Sequence, residues 1–435
     1  MAATFKLDNI LKEYVAQDAD TKDKLLGAAF VVVSKDGVIY QGSAGRTDLP
    51  VTSPKFTPHS FTWVASLTKL VTITCIMRFV EEGLIRLDDD VRPLVPELAR
   101  MQILRGFDET TGKPILEDNT KRITLRHLLT HTVGLGYDIA DPDLNRWSKA
   151  VGRTATNLSY TLEGWNTPLK FAPGEGWYYG SAIDWAGQVL EKITPLPLEH
   201  ILAHKICRPL GMRNTTFHPR EVERNEGCTA IACSYRDKET GALSTGPAPV
   251  PVHPPVDSGG AGLWTTAADY ARVLQALLQA SAGGDIPGGV VSGAAAVEMF
   301  RPQLDERQHA MLKHLTDMFR DGMVPEFPPG TPLNHGLGGV INTEDVPGKR
   351  RKGSMMWAGM CNSHWWIDRE TGIGATLIVN VLPQPDLVVN RLYNDLELAV
   401  YGDLVPEWEN FKENGDIVAR SQPRRRTEEF MARQD

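Results

Sequence analysis

Residues 61–83 read Phe61-Thr62-Trp63-Val64-Ala65-Ser66-Leu67-Thr68-Lys69-Leu70-Val71-Thr72-Ile73-Thr74-Cys75-Ile76-Met77-Arg78-Phe79-Val80-Glu81-Glu82-Gly83. From Ser66 to about Glu82 the residues suit a helix that is apolar on nearly every side, the pattern of a buried helix, and Gly83 follows as its C-cap. Between Phe61 and Met77 the only formal charge is Lys69. Ser66 and Lys69 stand three apart and share a helix face. A buried lysine has its ammonium form disfavoured, so it can accept a proton, which an unactivated serine nucleophile needs. Burying a lysine without purpose is costly. Against this, Ser-x-x-Lys arises by chance roughly once or twice in a chain of this length.

Outward from this helix, strand signals lie at both ends of the chain. Residues 5–18 carry apolar positions at helical spacing (Leu7, Ile10, Leu11, Tyr14, Val15). Ala28–Ser34 and Val38–Gly42 flank Asp36-Gly37, a hairpin signal. Ser363–Asp368 and Ile373–Leu382 surround Arg369-Glu370-Thr371-Gly372 in the same way, and Asp386–Tyr401 reads as an amphipathic helix. Between them the chain is mixed. Residues 105–122 form a polar, turn-rich excursion, Ile123–Thr132 a short helix and Asp269–Ala280 an amphipathic helix.

Composition narrows the function class. The chain has 435 residues, 42% hydrophobic and 23% charged, as an ordinary globular protein has. A net charge of −8 without a long basic stretch argues against nucleic-acid binding. The tight run Arg424-Arg425-Arg426 sits in a charged C-terminal tail. No apolar run approaches a membrane span, and residues 1–15 lack the apolar core of a secretory signal. Five cysteines without a Cys-x-x-Cys suit reduced thiols, so a cytoplasmic protein is expected.

Two further segments carry candidate chemistry. Phe171-Ala172-Pro173-Gly174-Glu175-Gly176-Trp177-Tyr178-Tyr179-Gly180-Ser181 joins a Pro-Gly turn to two tyrosines. The aromatics could simply pack, or a tyrosine could assist proton transfer to and from the serine. In Gly353-Ser354-Met355-Met356-Trp357-Ala358-Gly359-Met360 a glycine-bearing strand can bring a backbone N–H close to a bound acyl group, one half of an oxyanion hole. His127/His131 and His200/His204 are spaced i,i+4, but neither pair has the glutamate of a His-Glu-x-x-His site. No Gly-x-Ser-x-Gly elbow is present.

The order Ser66-x-x-Lys69, Pro173-Gly174…Tyr179-Gly180-Ser181 and Trp357-Ala358-Gly359 resembles that of serine β-lactamase-like proteins: class C β-lactamases, D,D-peptidases and related esterases. Leu87-Asp88-Asp89-Asp90-Val91, Ile123 to Leu135, Gly259-Gly260-Ala261-Gly262-Leu263 and Gly336-Leu337-Gly338-Gly339 look like the same superfamily. Gly180 to Gly187, Gln102 to Asp108 and Arg350-Arg351-Lys352-Gly353-Ser354 are similar to the fungal lovastatin-type acyltransferases.

The resemblance implies an α+β, β-lactamase/transpeptidase-like fold. Residues 1–60 and 330–410 would form a discontinuous α/β sheet lobe and residues 61–329 a mainly helical lobe, with the Ser66 helix at the junction. Residues 411–435 would form a charged tail. It implies Ser66 as nucleophile, Lys69 as its base partner, Tyr179 as the catalytic tyrosine with Tyr178 its ambiguous neighbour, and the N–H groups of Ser66 and Met360 as the oxyanion hole. Pocket candidates are Trp357, Ala358, Gly359, Trp63, Ser181 and Trp365, with Trp366 alternating against Trp365 on its strand.

Two departures bear on substrate. Trp357 replaces the Lys-Thr-Gly lysine that meets a substrate carboxylate, and Ser181 replaces the asparagine of Tyr-x-Asn. Both disfavour β-lactam or peptidoglycan chemistry and suit a neutral or apolar acyl ester or thioester. The expected activity is acyl transfer to a small-molecule acceptor of secondary metabolism, with a carboxylesterase-type hydrolase or an inactive binding protein as alternatives. The partners would be a small-molecule acyl donor and acceptor, with an acyl carrier protein domain among the donors allowed. No metal or cofactor is called for.

Overall fold

The computed structural model describes residues 2–225, 228–283 and 289–413. All but three residues of the expected 411–435 tail, Arg424–Arg426 included, lie outside them. Seven antiparallel strands form the main sheet in the spatial order Gly37–Gly45, Gly27–Ser34, Ile373–Ile378, His364–Asp368, Met355–Ala358, Val340–Asn342 and Leu333–His335. The N-terminal hairpin therefore pairs with the last long strand, with Val31 opposite Thr376 and Val33 opposite Gly374.

The alternating sides of these strands explain their unbroken apolar reading, since helices cover both faces. On one face Phe30 and Trp366 meet at 5.9 Å between ring centres, and Trp366 packs on Tyr393 of helix Leu387–Ala399. On the other face Gly374 lies under Leu274 of helix Ala267–Ser281, where an added Cβ would come within 3.2 Å of the leucine. That helix belongs to the sheet although it falls within residues 61–329, so the expected boundaries of the helical lobe are corrected here. A single break in sequence cannot mark a lobe whose cover helix comes from mid-chain. The expected excursion at 105–122 is largely a hairpin, Gln102–Phe107 paired with Pro114–Asp118.

Beneath the sheet, Arg350 is wholly buried. Its Nε donates to Glu397 at 2.7 Å, one terminal nitrogen donates to Glu326 at 3.3 Å, and the guanidinium lies 5.0 Å from the Trp366 ring centre. Burial pushes the Glu326 carboxyl up from its ordinary 4.5 to about 7, against the opposing pull of Arg350. The folded chain then holds a proton that the unfolded chain releases, so stability is full below about pH 4.5 and is lost as pH rises through about 7. Glu326→Gln is expected to flatten that dependence when urea unfolding is followed between pH 5 and 7.5. An unchanged slope would count against this origin.

The Ser66 element follows from its own sequence. A short 3-10 turn, Ala65–Leu67, leads into helix Thr68–Glu81, whose residues Leu70, Val71, Ile73, Cys75, Ile76, Met77 and Phe79 are all buried. Each such side chain contributes about 1.5–3 kcal/mol, which makes this helix an anchor between the sheet and the helices of the middle segment. Gly83 closes it in the left-handed region at φ +71°.

Candidate active site

Ser66 lies at the floor of a cleft of about 1400 Å³. The residue before it, Ala65, takes φ +47°, a left-handed conformation that costs a non-glycine residue about 1–2 kcal/mol. The first helical turn then places Lys69 Nζ 3.1 Å from Ser66 Oγ. Lys69 is 2% exposed, and its Nζ also donates to the Gly260 carbonyl at 2.8 Å and contacts the Tyr137 hydroxyl at 3.1 Å. The carbonyl can only accept, so one N–H is committed there. The two hydroxyls can each donate or accept, so the site accommodates the lysine with or without its third proton.

Tyr179 Oη lies 2.6 Å from Ser66 Oγ. Tyr178, the alternative, turns away and donates to the Asp141 carboxylate, beside Lys170. The Tyr179 ring stands against His131 at 4.9 Å and Trp357 at 4.8 Å between centres. The Trp357 indole N–H donates to Tyr179 Oη at 3.0 Å. Trp357 therefore stands where a lysine is usual but offers a neutral donor aimed at the phenol oxygen. Burial pushes down both His131, which faces Tyr179, and His335, which faces His131 and Trp357, the latter to about 4, so both imidazoles are neutral at pH 7.

Trp357→Phe keeps a ring in place and removes this donor. It is expected to lower kcat with an activated ester about tenfold, the worth of one hydrogen bond to a group gaining charge, with KM little changed. A loss confined to KM would place Trp357 in donor binding instead.

The other candidates divide. Trp357, Ala358 and Met360 line the cleft together with Ser66 and Tyr179. Gly359 lies just behind, and a Cβ there would come 2.6 Å from the Val64 carbonyl oxygen, so the glycine lets this strand end approach the turn that carries Ser66. Trp63, Ser181 and Trp365 do not line the cleft, which corrects their assignment as pocket residues. Trp63 is fully buried behind the Ser66 turn and donates to the Ala261 carbonyl at 2.7 Å. Ser181 is buried ahead of helix Ala182–Ile193, with its hydroxyl 3.5 Å from the Trp165 carbonyl. Trp365 and Trp366 point to opposite faces of a strand covered on both, so both are core. The cleft walls are instead built by Ile139, Leu158, Met311, Leu315, Met318 and Phe319, with Arg320 among the lining residues and hydrogen-bonded to Asp317.

The histidine pairs have structural surroundings. His127 completes a capping box with Thr124 at helix Leu125–Leu129, and His131 lies past that helix against Tyr179. His204 lies near Arg208. Among the described residues no group of three or more histidine, cysteine or acidic side chains could hold a metal.

Sequence reasoning missed Tyr137 and left Asp184 and Gly260 without a role. Tyr137 lies just beyond the Ile123 to Leu135 stretch, and nothing in the local residues signals that it would reach Lys69.

The family profile described as Beta-lactamase matches residues 7–399, nearly the whole described chain. The chain belongs to the beta-lactamase family. Within that family it is 32% identical to a lovastatin esterase of Penicillium rubens, over 80% of this chain and 86% of the relative. It is also 32% identical to a monacolin J acid methylbutanoyltransferase of Aspergillus terreus, over 78% of this chain and 81% of the relative. The unliganded simvastatin synthase LovD of Aspergillus terreus superposes with a TM-score of 0.81 at 27% identity, covering 92% of this chain and 98% of that one. The β-lactamase/transpeptidase-like fold expected from the motifs is the fold of this chain, and the chain is an enzyme of that family.

Proposed function

We propose that this beta-lactamase-family chain is a serine acyltransferase that moves an acyl group from a thioester or ester to a small-molecule acceptor of secondary metabolism. The observation that carries this reading is the setting of Ser66, Lys69 and Tyr179. Lys69 and Tyr179 each lie within hydrogen-bond reach of Ser66 beneath an apolar cleft of about 1400 Å³, far more room than water or a short acyl chain needs. The names of the relatives, two of which are acyltransferases of this size, point the same way.

Ser66 Oγ attacks the acyl carbonyl, and its proton passes to the Lys69–Tyr179 pair. The N–H groups of Ser66 and Met360 hold the oxyanion. The tetrahedral centre collapses, the C–S or C–O bond of the donor breaks, and the proton is returned to the leaving thiol or alcohol. An acceptor hydroxyl or amine then repeats the sequence in reverse: the pair takes its proton, it attacks the acyl-Ser66 carbonyl, and Ser66 leaves with the proton restored. Trp357 steadies the phenol oxygen while charge gathers on it.

A carboxylesterase is the second reading, because water can take the acceptor's place and a lovastatin esterase is among the relatives. Partitioning decides between them: a short acyl thioester is supplied with candidate acceptors, and ester formation is compared with release of free acid. Ester is expected to dominate at saturating acceptor, and free acid dominating with every class of metabolite would make the protein an esterase. An acyl carrier protein domain is one bearer of the donor that such assays can include. No helix among the described residues is long and apolar enough to cross a membrane.

A further inference from the structure

The Ser181 hydroxyl turns to the Trp165 carbonyl, and the fixed acceptor for Lys69 comes from another segment. The Gly260 carbonyl supplies it at 2.8 Å from Nζ. That peptide is itself held from its other side. The Gly260 N–H donates to Asp184 Oδ1 at 3.0 Å, and the Ser258 hydroxyl donates to the same oxygen at 2.5 Å. The Gly259 carbonyl accepts from Thr72 at 2.8 Å, one turn below Lys69 on the Ser66 helix. A Cβ at position 260 would come within 2.5 Å of Asp184 Oδ2, so the glycine is what allows the carboxylate to sit this close.

Asp184 is 2% exposed, and burial pushes its carboxyl up against the opposing pull of Lys69. A buried carboxylate without a paired cation is costly, so its retention calls for an explanation beyond packing.

We propose that Asp184 is a positioning residue for the acyl-transfer reaction: through the Gly260 peptide it aims Lys69 at Ser66. The proposal rests on the reading of Lys69 as proton partner of Ser66. The groups facing the pair are few. Lys69 is bordered by Tyr137 and Tyr179, with His131 close enough to feel its charge, and Asp184 acts on Tyr137 and Tyr160. Those tyrosines are held far above their ordinary range by burial, so they stay neutral at working pH.

The test uses the full chain and p-nitrophenyl butyrate. Asp184→Asn keeps an oxygen to accept from Gly260 and removes the charge. The plateau of kcat is expected to fall about tenfold with KM within about twofold. In a Lys69→Ala background, where Ser66 is followed by its rate of labelling with a fluorophosphonate, the same substitution is expected to cost less than twofold. An unchanged kcat, or an equal cost in both backgrounds, overturns the proposal. If Asp184→Asn does not fold, Ser258→Ala enters the same cycle: about threefold is expected in the parent and none with Lys69→Ala, and equal costs overturn it. Full labelling in Lys69→Ala alone would instead sink the underlying reading of Lys69.

Discussion

Ser66→Ala is expected to abolish acyl-donor turnover, by at least about 10⁴-fold, while the protein folds and melts as before. The magnitude follows from the loss of the covalent route: without Oγ the remaining groups can only polarise the donor, and nucleophile deletions in serine enzymes reach about 10⁴–10⁶. Stability should hold because Ser66 Oγ sits at the cleft floor, and its partners Lys69 and Tyr179 keep other contacts, with Gly260 and Trp357. Tyr179→Phe is expected to be milder, about 10²–10³-fold, since it deletes a proton carrier and leaves the nucleophile. Mass spectrometry of the protein after exposure to an acyl thioester should show a single acyl adduct that Ser66→Ala lacks. Full turnover by the alanine variant would end the acyl-enzyme reading altogether.

The second large effect concerns stability. Arg350→Ala is expected to destabilise the fold by about 3–5 kcal/mol, read as a lowered urea midpoint. It would remove the guanidinium that holds Glu397 at 2.7 Å and Glu326 at 3.3 Å under the Trp366 and Phe327 rings, leaving Lys349, 3.0 Å from Glu397, as the remaining paired cation. Glu326 would lose its arginine partner, and one of its oxygens already lacks a hydrogen-bond partner among the described residues. Because most of the penalty is the unpaired carboxylates, Arg350→Met combined with Glu326→Gln and Glu397→Gln should regain much of the loss. If the triple variant is no more stable than Arg350→Ala, the arginine is holding the fold by packing alone.

How far these features could be read without the structure depends on how local each one is. Ser66 and Lys69 are one helical turn apart, so an apolar helix with a lone charge was enough to bring them together. The two hairpins were legible because each carries a turn signal between β-rich runs. The choice of Tyr179 over Tyr178 came from spacing after Pro173-Gly174 in a resembling family. The physical reason is a loop that delivers one tyrosine to Ser66, 113 residues earlier in the chain, and the other to Asp141.

The sequence by itself put Ser66 and Lys69 on one helical turn, strand text at both ends of the chain and no cation at position 357, because each rests on neighbours along the chain or on residue identity. Tertiary structure alone decided what meets Lys69 from elsewhere. Tyr137 and Gly260 lie 68 and 191 positions away, and no periodicity records a contact of that range. It also decided which tryptophans face the cleft. A strand's period of two sets only opposite sides. Trp365 and Trp366 are both buried because helices cover both sides of their strand, whereas Trp357 lines the cleft and reaches the phenol of Tyr179.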